Sequence, residues 1–156
     1  MLFRSVAQAV FEHYRPRGAG DELPQSMPGS LLALAERFEL LFSIYSLGSR
    51  PSGSSDPYGL RRAGNGIVQI LWYRTWPLDV AAFLKRVAMQ WQSFFPQASI
   101  DANELESELG VFLLQRVSSL MEEVEIDQDI VRSVTASYPI HQGRVLRNVC
   151  DAKERA

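Results

Sequence analysis

The sequence has 156 residues, of which 46% are hydrophobic and 22% charged, and this composition is ordinary for one globular domain or two small helical ones. A formal net charge of −2 and an isoelectric point of about 5.7 exclude a general attraction to nucleic acid, so RNA binding would need a local basic patch. A single cysteine, Cys150, excludes an internal disulfide and a cysteine-based zinc site, and it fits a reducing, cytoplasmic compartment.

The first predicted helix covers residues 6–14, because apolar residues recur there at helical spacing. Residues 1–4 lack the pattern of a signal peptide. The apolar residues that the helical spacing places on one face are Val6, Val10, Phe11 and Tyr14. Pro16 ends this helix, and glycine and proline residues mark a loop over 17–28.

The second predicted helix covers residues 31–47, with Ser30 as its N-cap and Gly48 at its C-terminal end. Apolar residues lie on nearly all of its sides, which predicts a central and mostly buried helix. Its apolar run is not a membrane span, because charged side chains interrupt it. These charged residues are Glu36, Arg37 and Glu39.

A loop rich in Gly, Ser and Pro over residues 48–55 leads to the third predicted helix. Asp56 is its expected cap, Pro57 its expected first residue, and Tyr73 its approximate end. A glycine inside a helix costs about 1 kcal/mol relative to alanine, so glycines here indicate the close approach of another backbone, from a neighbouring helix or a ligand. The glycines within this predicted helix are Gly59, Gly64 and Gly66.

The second half of the chain begins with a predicted helix over residues 79–95, which Pro96 ends. The apolar residues of its predicted stripe are Val80, Phe83, Leu84, Val87 and Trp91. Asn103 and Glu106 then resemble a capping box at the start of another helix. The stripe of that helix consists of Leu105, Leu109, Phe112, Leu113, Val117 and Leu120.

Two short helices are predicted to begin at Asp127 and at Pro139, and no segment alternates as a strand would. The predicted fold class is therefore all-α, a bundle of about six or seven helices.

Arginines are the candidate RNA-binding residues, because the first half of the chain is locally more basic than the acidic stretch over 101–129. A solvated surface is the simpler interpretation of the same pattern. The candidates are Arg15, Arg17, Arg50, Arg61 and Arg62. Neighbouring helix residues point about 100° apart, so we expect one of Arg61 and Arg62 to face solvent or RNA. The other is expected to pair with a carboxylate such as Asp56 or Asp21.

The loop over 48–55 lies before a helix N-terminus, a place that favours bound phosphate. No Gly-Lys-Ser/Thr follows it, and Asp56 would compete as the local anion, so a structural loop is the favoured interpretation. His13 and His141 have no metal-ligand spacing, and no Ser/His/Asp arrangement is supported. The sequence therefore predicts no catalytic residue and no metal site.

Two sequence motifs resemble the β chain of the bacterial two-subunit glycine–tRNA ligase. They are EHYRPRGAGDELP at residues 12–24 and RPSGSSDPYGLRR at residues 50–62. The resemblance covers essentially the whole chain and is strongest from Val6 to Leu71. Within the motifs, a set of Gly, Asp and Pro residues is expected to fix the geometry of the surface. This set consists of Gly20, Asp21, Pro24, Gly53, Asp56 and Pro57.

The resemblance implies a tRNA-binding β chain of a class II enzyme. Residues 1–75 would be the later part of an HD-like helical domain, and residues 76–156 the helical region before the anticodon-binding domain. In that family the α chain carries the catalytic site with ATP and magnesium, so this chain would bind no cofactor. The implied partners are the α chain, glycine tRNA and the remainder of the β chain, without a membrane. The candidate arginines would grip tRNA phosphates.

This sequence departs from the family pattern in several ways. Compared with the family's β chain it would be several times shorter, without the start of the HD-like domain and without the anticodon-binding domain. Ala-Glu-Arg-Phe-Glu over residues 35–39 replaces the usual Ala-Asp-Lys/Arg-x-Asp. Alone, the chain is not expected to aminoacylate tRNA.

Two other functions stay open from the sequence. An HD-type phosphohydrolase would hold a metal with His and Asp, and the missing His-Asp dipeptide disfavours it. A free-standing or truncated relic would act only through protein contacts. A truncated HD-like domain should expose an apolar face of helix 31–47, and this predicts dimerisation or binding of the missing segment.

Overall fold

The structure is a computed structural model that describes residues 2–76, 78–124 and 129. The described residues contain five α-helices: α1 (Leu2–Glu12), α2 (Met27–Ser46), α3 (Leu60–Arg74), α4 (Val80–Phe94) and α5 (Ala102–Glu123). A 3₁₀ turn, Pro96–Ala98, separates α4 from α5, and no strand occurs in this part of the chain. The all-α prediction is confirmed. The helices predicted to begin at Asp127 and Pro139 lie outside the described residues, except for Asp129.

The core lies between α2, α3, α4 and α5, and α2 is its central element. Leu41 and Phe42 of α2 are fully buried, as is Leu109 of α5. Aromatic contacts connect the layers: the rings of Phe42 and Trp91 are 5.7 Å apart, as are those of Tyr45 and Phe112. The predicted stripes of α4 and α5 face this core. The core includes residues on both sides of residue 75, and the division into regions 1–75 and 76–156 stays a prediction.

Two glycines of α3 allow side chains of neighbouring helices to cross it closely. A Cβ atom on Gly64 would lie 2.7 Å from the ring of Phe112, and one on Gly66 would lie 2.5 Å from Nε of Arg37. Neighbouring helices therefore do approach these two positions closely, but with side chains rather than with the expected backbone. Gly59, predicted to lie inside the helix, instead precedes it in a left-handed conformation with φ of 68°.

The predicted start of α2 is wrong by four residues. Ser26, not Ser30, is the N-cap, because the Gly29 amide donates to the Ser26 hydroxyl at 3.1 Å. Pro28 lies in the first turn, where it interrupts no helical hydrogen bond. Ser30 is buried inside the helix and donates to the Pro24 carbonyl at 3.2 Å.

The predicted starts of α3 and α5 are also displaced. The N-cap of α3 is Gly59 rather than Asp56, and the helix begins at Leu60 rather than Pro57. The Asp56 carboxylate still accepts from the first-turn amides of Leu60 at 2.7 Å and Arg61 at 3.0 Å. The N-cap of α5 is Asp101, not Asn103. Its carboxylate accepts hydrogen bonds from the amides of Asn103 and Glu104, which have no partner within the helix. The start of α4 is as predicted, with Asp79 as its N-cap.

The helix α1 begins at Leu2, earlier than predicted, and carries its apolar face towards solvent. Ala9 and Glu12 form its buried side against α2. Its exposed apolar residues are Phe3, Val6, Val10 and Phe11, followed by Tyr14. On α2 the exposed apolar residues are Met27, Leu31 and Leu32. The apolar exposure that we expected on helix 31–47 therefore lies mainly on α1.

Candidate functional site

The first motif folds around a buried carboxylate at the end of α1. Glu12 accepts hydrogen bonds from the amide of Ser26 at 2.8 Å, from the Ser26 hydroxyl and from the amide group of Gln8. Burial raises the pKa of Glu12, but these hydrogen bonds outweigh burial and hold the pKa below its ordinary value. The carboxylate thus secures Ser26, which in turn caps α2.

A buried arginine closes the same loop from the other side. The Arg37 guanidinium donates to the carbonyls of His13 at 3.0 Å, Tyr14 at 3.2 Å and Pro16 at 3.0 Å, and also to that of Ala33 in its own helix. Burial lowers the pKa of Arg37. Main-chain carbonyls accept the hydrogen bonds of the buried guanidinium, so Arg37 does not need a carboxylate partner to satisfy its donors.

The second motif closes on itself. The Arg61 guanidinium donates to the carbonyls of Gly53 at 2.7 Å and Ser55 at 3.3 Å. Main-chain hydrogen bonds also join Ser52 and Ser55 in both directions. The geometry favours the structural interpretation of this loop over a phosphate cradle. One member of the pair Arg61 and Arg62 was expected to bind a carboxylate, but Arg61 donates to loop carbonyls instead.

Three of the other candidate arginines are also occupied by partners within the chain. Arg15 donates to Glu22, and Arg17 donates to Asp21 at 3.0 Å. The hydrogen bonds from Arg17 hold the pKa of Asp21 well below its usual range. Arg50, at the start of the second motif, lies between Glu108 of α5 and the ring of Tyr45.

The remaining residues of the predicted structural set serve the two loops. Gly20 and Gly53 have left-handed backbones, with φ of 74° and 50°, which favours glycine there. Pro24 is buried, and its carbonyl accepts from Ser30 and, at 3.0 Å, from Arg74. Pro57 is exposed in the turn before α3. Their assignment to a functional surface stays a prediction.

Arg62 differs from the other four candidates. It is exposed, and it makes no hydrogen bond or ion pair with the described residues. Its guanidinium lies over Gly59, where a Cβ atom would be only 3.0 Å from Nη2. Arg61 and Arg62 therefore diverge as expected, one towards the loop and the other towards solvent.

Arg62 and Arg17 line one open groove, whereas Arg50 lies elsewhere. The groove has a volume of about 510 Å³ and runs between the first half of the first motif, α2 and the start of α3. Its polar and aromatic lining is Tyr14, Arg17, Glu36, Arg37, Glu39, Tyr58 and Arg62. The interpretation of the sequence did not assign Tyr14 and Tyr58 to a site, although one belongs to each of the two motifs. Only the fold brings them to the same groove.

The described residues show no group of three or more His, Cys, Asp or Glu side chains placed to hold a metal ion. In the same part of the chain, no helix combines the length and the apolarity needed to cross a membrane.

Comparisons with known proteins identify the family. A family model described as "Glycyl-tRNA synthetase beta subunit" matches residues 3–136. The "Glycine--tRNA ligase beta subunit" of Trichodesmium erythraeum is 42% identical over 154 residues, which cover 97% of this chain and 21% of that protein. The protein of the same name from Gloeothece citriformis is 37% identical over the same shares of both chains. That of Pediococcus pentosaceus is 39% identical over 131 residues, 84% of this chain and 19% of the relative.

These similarities, together with the two motif loops, place the chain among the subunits of aminoacyl-tRNA synthetases. It belongs to the glycyl-tRNA synthetase β-subunit family. The chain spans about a fifth of the length of the curated relatives it matches.

Proposed function

We propose that this chain is a tRNA-positioning part of a glycine–tRNA ligase β chain and supports glycyl-tRNA synthesis in the cytoplasm. Membership of the β-subunit family is the observation that carries the proposal. Its proposed partners are the α chain, the rest of the β chain and glycine tRNA. The proposal assigns adenylation, with ATP and magnesium, to the α chain.

The contact to tRNA is proposed to centre on Arg62. Its guanidinium is free to bind a phosphate oxygen, because no described residue occupies it. Arg17 lies on the same groove, but Asp21 neutralises it locally. Phosphate contacts of this kind set orientation rather than sequence preference. Holding the acceptor end in place is enough to support a reaction that another chain catalyses.

The test is binding of glycine tRNA and of an unrelated tRNA at low and moderate salt. We expect preferential binding that weakens as salt rises, because phosphate contacts release counterions. Arg62→Ala should weaken binding about tenfold. It should also reduce the slope of log affinity against log salt concentration by about one, the value for one lost phosphate contact. Arg86→Ala is the matched control, because Arg86 is an exposed arginine of α4 away from the groove. No binding at either salt, or equal losses in both variants, would contradict the proposal.

A second function is favoured by the internal pairing of the other candidate arginines. Arg15, Arg17 and Arg50 have carboxylate partners, and Arg61 has loop carbonyls, so these four offer little free charge to RNA. The alternative is a module that acts only through protein contacts, with the exposed face of α1 as its surface. It predicts concentration-dependent self-association in gel filtration. A monomer at all concentrations with a cooperative melting transition would contradict it.

A further inference from the structure

The groove beside Arg62 contains exposed tyrosines and carboxylates as well as the unpaired guanidinium. We propose that it binds one unpaired nucleotide of a single-stranded RNA segment, with the base against Tyr14 and Tyr58 and the phosphate on Arg62. This inference rests on the proposed function and specifies the ligand of the same site. The groove volume of about 510 Å³ falls in the range of small-ligand sites, so it can hold a nucleotide but not a duplex.

Two aromatic side chains supply the stacking surface. Tyr14 is 63% exposed and Tyr58 is 52% exposed, so both rings can meet a base. Tyr58 makes no hydrogen bond or ring contact with another described residue, whereas the ring of Tyr14 also contacts that of His13, with 3.9 Å between the ring centroids. Unpaired RNA bases commonly stack on tyrosine rings, whereas bases within a duplex are unavailable for such stacking.

The charges in the groove fix the orientation of the nucleotide. Glu36 and Glu39 of α2 belong to the lining that also includes Arg62 of α3. Glu36 lies 3.7 Å from Nε2 of His13, and Glu39 accepts from the Ser43 hydroxyl at 2.6 Å, so neither is bound to an arginine. The carboxylates repel a phosphate, which therefore lies at Arg62, and the base edge faces the acids.

The acids also give the groove a preference among bases. A carboxylate accepts hydrogen bonds from exocyclic amino groups, as it does from cytosine N4. Cytosine, adenine and guanine carry such a group, and uracil does not. The groove should therefore prefer cytidine, adenosine and guanosine to uridine.

The experiment measures binding of short single-stranded oligocytidine, oligoadenosine and oligouridine to the full 156-residue chain by fluorescence anisotropy. Oligocytidine and oligoadenosine should bind several-fold more tightly than oligouridine. Tyr58→Leu should weaken their binding about tenfold, since stacking on one ring is lost. Tyr73→Leu is the matched control, because Tyr73 is 51% exposed but lies at the other end of α3, outside the groove. Circular dichroism checks that both variants keep the helical content of the parent chain.

The outcomes separate this inference from the proposed function. Equal losses in Tyr58→Leu and Tyr73→Leu, or oligouridine binding as tightly as oligocytidine, would overturn the nucleotide site. If intact tRNA binds through Arg62 but none of the oligonucleotides binds, the groove inference fails and the proposed function stands. If intact tRNA does not bind either, both fail.

Discussion

The loop between α1 and α2 and the loop between α2 and α3 contain the same two kinds of interaction, but these interactions are buried in the first loop and partly exposed in the second. In each, a carboxylate secures the start of the following helix and an arginine donates to main-chain carbonyls of the loop. In the first loop these residues are Glu12 and Arg37, which are only 2% and 8% exposed. In the second loop they are Asp56 and Arg61, which are partly exposed.

The difference in burial decides what each loop contributes. Water can replace a lost partner at the surface, so an exposed hydrogen bond adds little net stability. A buried carbonyl or carboxylate that loses its partner finds no water and keeps its desolvation cost. We therefore expect the first loop to be part of the folding core. The second should tolerate change, although its motif is equally recognisable in the sequence.

Arg37→Ala should have the largest effect of the changes considered. It removes the common donor of the His13, Tyr14 and Pro16 carbonyls, and a cavity remains beside Gly66. We expect the free energy of unfolding to fall by about 3 kcal/mol or more, measured by urea denaturation. The exposed control Arg86→Ala should stay within about 0.5 kcal/mol of the parent chain. A loss below about 1 kcal/mol would show that water reaches these carbonyls.

Glu12→Gln should come second, with a loss of about 1–3 kcal/mol near neutral pH, because a charged acceptor of several hydrogen bonds becomes neutral. The pKa of Glu12 in the folded chain lies below its ordinary value of 4.5. The ionised group therefore stabilises the fold above that value, and the stabilisation is lost as pH falls through 4.5 towards the folded pKa. The difference between parent and variant should shrink in acid. A difference that is constant with pH would contradict this assignment.

The all-α class and the core-facing sides of α4 and α5 could be predicted from the sequence, because both depend on the local periodicity of apolar residues. The helix starts could not all be predicted. Ser26 and Ser30 are both plausible caps, and the choice is made by Glu12, which lies 14 residues before Ser26 and binds it. Periodicity also identifies the apolar face of α1, but it carries no information about what covers that face.

The candidate site was harder to predict, because some of its charges are paired with groups far away in the chain. Arg50 meets Glu108, 58 residues away. Arg37 binds carbonyls more than 20 residues before it. Tyr14 and Tyr58 belong to different motifs and line one groove only when α2 lies between them. The motifs reveal the family from the sequence alone. Arg62 can be recognised as the unpaired candidate arginine only once the partners of the other four candidates are known from the fold.

Asp56→Ala tests the shallower carboxylate and should cost about 1 kcal/mol, the usual value of a lost N-terminal cap. Asp56→Asn is the matched partial rescue, because its single amide oxygen can still accept from the Leu60 amide, whereas its amino group cannot accept from the Arg61 amide. It should restore part of the lost stability in urea denaturation. If the alanine variant loses as much as Glu12→Gln, the two loops do not differ in the way that their burial indicates.

Arg61→Ala should have the smallest effect, about 0.5 kcal/mol, because its two carbonyl partners are exposed to water. A second effect of the substitution makes this loss of stability smaller. Burial lowers the pKa of Arg116, and the nearby charge of Arg61 lowers it further, so removing Arg61 relieves a repulsion. Arg61→Ala and Arg62→Ala should therefore both melt close to the parent chain, but only the second should weaken tRNA binding strongly. Equal effects of the two variants on binding would show that Arg61 leaves its loop carbonyls to contact RNA, and the second loop would then be part of the interface rather than its support.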